Sequence, residues 1–104
     1  MIEIDTYYPP KCHDDDDDND DNDYHVIITW HESNLNDHVN YHVIPDHKSI
    51  IKMICEKHQN FTINTIMYNN NKRKYKLGLK SSDLNNLILI NETIESHLFN
   101  HNLN

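Results

Sequence analysis

The chain has 104 residues, nine Lys and Arg, 17 Asp and Glu, and a formal charge of −8 at pH 7. This length allows one domain with one modest core, and not a catalytic domain beside a substrate domain. A single glycine and two cysteines leave no material for a glycine-rich phosphate loop, a CxxC zinc pattern or a disulfide framework.

The acidity is concentrated. Residues 14–23 hold eight aspartates (Asp14, Asp15, Asp16, Asp17, Asp18, Asp20, Asp21 and Asp23) and two asparagines. Residues 1–23 carry ten acidic side chains against Lys11, a net −9, so residues 24–104 sum to +1. A run without apolar side chains has nothing to bury, so residues 1–23 are expected to be a disordered acidic N-terminal arm. A single α+β domain is expected over 24–104.

Tyr24–His31 alternates, with Tyr24, Val26, Ile28 and Trp30 on one face, and predicts a strand. Glu32–Asp37 has turn composition, and His38–Ile44 alternates again, which predicts a hairpin. Pro45 stops that strand and Asp46 is placed to cap a helix. Ile50, Ile51, Ile54, Cys55 and His58 follow at helical spacing, predicting about three turns ending near Asn60 with Cys55 on the inner face. Phe61–Tyr68 predicts the next strand, and Asn69-Asn70-Asn71 a turn. Lys72–Leu79 predicts another strand, with Arg73, Tyr75, Leu77 and Leu79 on one face and Lys72, Lys74, Lys76 and Lys80 on the other. Leu84–Ile90 is open between a short helix and a fifth strand, and Asn91 is a candidate cap for a last helix over Glu92–His101. No internal repeat is visible.

These elements predict a small, mostly antiparallel sheet of four to five strands with one main helix. The order resembles the β-grasp, or ubiquitin-like, fold. The resemblance is carried by VIPDHKSIIKMI, a helix introduced by Pro-Asp after a hairpin. FTINTIMYNNNKRKYKLGLKSSDLNNLI is similar to the second half of a PB1-type interaction domain. It implies a protein-interaction role. The acidic cluster of acidic PB1 domains is replaced here by Asn69-Asn70-Asn71, and the lysine that basic ones carry on the first strand is missing from Tyr24–His31. No site residue is therefore carried over.

Candidate chemistry is sparse. His97 and His101, four apart on a predicted helix, are the best pair for a metal ion, with surface histidines as the competing reading. His38 and His42, also four apart, would lie about 13 Å apart in a strand, too far for one ion. The acidic run lacks the glycine and glutamate of an EF-hand loop. It reads as a solvating arm, or as an element that docks a basic partner. The lysine stripe could hold a nucleic-acid backbone, or could guard an edge strand against aggregation. If the arm folded onto the stripe, its removal would raise nucleic-acid binding at low salt. No catalytic motif and no bound cofactor are implied, so a non-catalytic protein-interaction module is expected, with an unidentified protein partner. Lys72, Lys74, Lys76, Lys80 and the aspartates are its contact residues. A nucleic-acid- or metal-associated accessory protein is the alternative. The abundance of Asn and Ile and the absence of Ala point to an AT-rich genome, of a protist or a large DNA virus. No signal-peptide pattern or membrane span is evident, which predicts an intracellular location.

Overall fold

The computed structural model describes residues 2–10, 23–32 and 45–102, with the side chains of Glu32, His101 and Asn102 outside that description. Four strands and two helices follow in the order β1 (Ile2–Tyr7), β2 (Tyr24–Glu32), α1 (His47–Lys57), β3 (Thr62–Asn69), β4 (Lys74–Ser81) and α2 (Leu84–Asn102). The fold is α+β. One sheet has the order β1-β2-β4-β3, and every neighbouring pair is antiparallel. This order is that of two successive ββα units whose second strands meet in the middle, a repeat of topology that residue identities do not show.

The core lies on one face. Val26, Ile28 and Trp30 of β2 sit opposite Leu79, Leu77 and Tyr75 of β4, and all but Tyr75 are fully buried. Ile50 and Ile54 from α1 complete the cluster with Leu87, Ile90, Ile94 and Leu98 from α2. The spacings of three and four along α2 form one helical stripe, so both helices cover the same side of the sheet.

β1 was not expected. Ile2 and Ile4 join the core cluster, opposite Glu32 and Trp30 in the strand register, and Ile2–Tyr7 pairs with β2 along its whole length. These residues therefore belong to the sheet and not to an arm. Residues 8–23, which include the acidic run, link these two paired strands. Asp14–Asp21 and the expected strand His38–Ile44 lie outside the described residues.

α2 settles the ambiguity of Leu84–Ile90. It is one helix from Leu84, longer than α1, and no fifth strand forms there. Asp83 accepts from the Asn85 N–H at 3.0 Å, satisfying a free donor of the first turn. Asn91 does not cap a second helix. It lies buried in mid-helix and accepts from the Thr6 hydroxyl at 3.1 Å, while its amide donates to Glu95 at 3.3 Å. The polar residue that suggested a break instead ties β1 to the helix layer.

α1 starts as expected. Asp46 accepts from the Ser49 N–H at 3.0 Å. That hydrogen bond, with help from the Ser49 side chain and Lys48, holds the Asp46 carboxyl below the usual carboxylate range. A group whose pKa is depressed by folding contributes stability above its unfolded pKa, and loses it as pH falls through the folded one. Asp46→Asn keeps the capping oxygen without a titrating charge. The melting temperature of wild type should thus exceed that of Asp46→Asn at pH 6, with the difference shrinking below about pH 4 and vanishing only once the pH is below the lowered folded-state pKa. Thermal melts by circular dichroism across that range check this. Cys55 is exposed, contrary to the expected inner face. It lies 100° around the helix from Ile54, beyond the stripe that Ile50 and Ile54 define.

Candidate functional site

The helices leave one face of the sheet uncovered among the described residues, and this face carries the lysines. β4 is an inner strand between β2 and β3, and residues directly opposite in an antiparallel pair share a face. Reading across β1, β2, β4 and β3, the rows are Glu3, His31, Lys74, Asn69 and then Asp5, Thr29, Lys76, Met67. Tyr7, Ile27, Gly78 and Thr65 follow, and then His25, Lys80 and Thr62. Lys74, Lys76 and Lys80 thus project from the centre of the open face, with an acidic rim on β1.

Lys72 does not continue the stripe. Arg73 has a φ of 49° and ends the turn that precedes β4, so the strand begins at Lys74. Asn69 Oδ1 accepts from the N–H groups of Asn71 and Lys72 at 3.1 and 3.2 Å, which closes the expected Asn turn and sets Lys72 at its rim. A shallow depression of about 730 Å³ lies here, lined by Met67, Tyr68, Asn69, Lys72, Lys74 and Lys76 among others.

Two polar contacts fasten the flanks. His31 Nε2 lies 3.1 Å from Glu3 Oε2, joining β1 to β2, while His31 Nδ1 is buried without a hydrogen-bond partner among the described residues. The Asn64 amide donates to His25 Nδ1 at 3.1 Å. Asn64 sits where the β3–β4 register shifts, between Ile63 and Thr65.

The inner position of β4 removes the edge-guard explanation of the lysines, because an inner strand has no free edge to protect. It also places them on a surface rather than along a rim. Lys74 and Lys76, two residues apart on one face, are spaced by about 6.8 Å. Alternate residues of an extended chain have the same spacing, so two acidic side chains at i and i+2 can meet both lysines.

The helix-side groove is chemically weaker. His97 lies near Lys57, His58, Glu92 and Thr93, and His58 Nε2 is 2.8 Å from the Thr93 hydroxyl. The side chain of His101 lies outside the described residues. Among the described residues no group of three or more His, Cys, Asp or Glu is placed to hold a metal ion. Sequence reasoning found the lysines. It missed Glu3, Asp5, Thr29 and Met67 as their neighbours, because strand order is a long-range property.

No helix among the described residues is long and apolar enough to cross a membrane. Comparison with protein-family models, curated proteins and solved structures finds no match.

Proposed function

We propose that this protein is a non-catalytic, intracellular protein-interaction module whose contact surface is the helix-free face of its sheet. The observation that carries this is the projection of Lys74, Lys76 and Lys80 from an inner strand onto that face. The partner class is an extended acidic protein segment. It would lie along β4 on the β3 side, where Met67 and Asn69 stand beside Lys76 and Lys74 and the acidic rim of Glu3 and Asp5 is two strands away from β4. The opening hairpin and helix are what a ubiquitin-like module shares with this chain, whereas α2 and the all-antiparallel order β1-β2-β4-β3 depart from it; the composition supports an AT-rich viral or protist genome. The aspartates of residues 14–23 are a second, separate contact element for basic partners. Nucleic acid is the second reading, favoured by the same lysines, and its phosphates would be held without sequence preference.

Fluorescence anisotropy tests the choice, using a labelled Glu-rich peptide and a labelled single-stranded oligonucleotide at low salt. Lys74→Glu/Lys76→Glu should weaken peptide binding at least tenfold and leave the thermal melt unchanged, since both side chains leave the sheet on its open face. Preference for the oligonucleotide, lost in the same variant, would move the function to nucleic acid. Binding of neither probe would sink the open-face reading.

A further inference from the structure

β3 is the outermost strand on its side of the sheet, and its outer edge has no strand partner among the described residues. Edge strands are ordinarily blunted by charge, proline or a bulge. β1, the other edge, carries Glu3 and Asp5. β3 reads Thr-Ile-Asn-Thr-Ile-Met-Tyr-Asn, without one charge or proline. Its irregularity between Ile63 and Thr65 interrupts only the Thr62 end, so Thr65–Asn69 is a regular, unguarded edge. On that stretch Ile66, Met67 and Tyr68 are 55%, 57% and 47% exposed, large apolar side chains in direct succession. They fall on both faces. Ile66 and Tyr68 lie on the helix side and Met67 on the open side, so helix packing cannot cover all three.

An extended strand added to the edge covers both faces at once. The sequence of β3 is complementary to itself in one register. A two-fold antiparallel pairing centred on Met67 sets Met67 against Met67, Ile66 against Tyr68 and Thr65 against Asn69. Aromatic and β-branched residues directly opposite are favourable cross-strand pairs. Centring on Ile66 would place Tyr68 against the irregular Asn64. Centring on Tyr68 would place Ile66 against Asn70, which lies in the turn. No like charges meet in the Met67-centred pairing. The nearest lysine rows would be three strand spacings apart, about 14 Å, beyond the Debye length of about 8 Å at physiological salt. Pairing through β1 would instead bring Glu3 and Asp5 of two chains together.

We infer that β3 is a homodimerisation edge, at which a second copy of this chain adds in antiparallel register centred on Met67 to make one eight-stranded sheet. The two open faces then form one surface with two lysine rows. This inference does not depend on what binds that surface.

Sedimentation of the full chain at physiological salt and high micromolar concentration tests it. Wild type should sediment at twice the 12.4 kDa chain mass. Met67→Lys and Met67→Glu each place like charges at the dyad and should be monomeric, with circular dichroism spectra like wild type because the side chain is exposed. An equimolar mixture of the two should recover the dimer, since lysine then faces glutamate. A monomeric wild type would overturn the inference. So would a dimer that neither substitution weakens, or a mixture that stays monomeric.

Discussion

Replacing Trp30 by alanine should cost about 3–5 kcal/mol, the range for truncating a large buried aromatic side chain. Small domains retain about 5–15 kcal/mol in total, so this variant should be marginal or unfolded at 37 °C. Trp30 is fully buried and stacks on Tyr75 at 5.5 Å with an interplanar angle of 13°. His47, from the first turn of α1, meets both rings edge-on at 5.7 and 4.9 Å, and Tyr68 extends the row at 4.5 Å from Tyr75. The indole N–H donates to the Pro45 carbonyl at 2.9 Å, and His47 Nε2 donates to the Lys76 carbonyl at 3.1 Å. The aromatic row therefore joins three strands and fastens the start of α1 to the sheet. Burial within it pushes the Tyr75 phenol above its ordinary pKa. Trp30→Phe keeps a ring in the stack and leaves the Pro45 carbonyl without its donor. It should cost less, about 1–3 kcal/mol. Urea unfolding followed by circular dichroism separates the two variants. Equal, small losses for both would show that the row does not anchor the fold.

Gly78→Val should cost about 1–3 kcal/mol or more. Gly78 lies in β4, where a side chain would point onto the open face. The reason it has none is local. A Cβ at this position would stand 2.5 Å from Asn64 Oδ1 and 2.8 Å from the Thr65 Cβ. The Asn64 amide could swing away, but a Cβ next to the backbone cannot move without shifting β3. The glycine lets the irregular segment of β3 lie down against β4. Gly78→Ala should show a smaller version of the same loss. Thr65→Gly removes the closer carbon, so Gly78→Ala/Thr65→Gly should lose less than the sum of the two single changes. A double-mutant cycle from urea denaturation measures that coupling. Additive losses would show that the contact is not the cause.

How much of this was legible in the sequence depends on the range of the signal. β2 and β4 were legible because Val26, Ile28 and Trp30, and Leu77 and Leu79, alternate without a break. The cap at Asp46 and the Asn69 turn are encoded within four residues and could be read directly. β1 was hidden because Ile2 and Ile4 offer only two apolar positions before an acidic stretch that suggests an arm. The second half of α2 was expected as a helix over Glu92–His101, but its first half was hidden because Leu84–Ile90 is too short to fix a period. The stripe Leu87, Ile90, Ile94 and Leu98 becomes plain only once Asn91 is allowed inside the helix. The lysines were found and their setting was not, since an edge strand and an inner strand look alike until the strand order is known. Within the residues the structure describes, the sheet's open face is thus a property of assembly, not of any one segment.

The connection between β1 and β2 runs over residues 8–23, whereas that between β3 and β4 runs over residues 70–73. The first is four times longer, and loop-closure entropy grows only logarithmically with length. Two doublings add about 1.2 kcal/mol to the closure of the longer hairpin. Lengthening or shortening the aspartate run by a few residues therefore changes folding free energy by only a fraction of that amount. Selection on stability hardly sees the number of aspartates. Folding stability alone therefore leaves the length of the tract almost unconstrained, while the strands at its two ends stay in register.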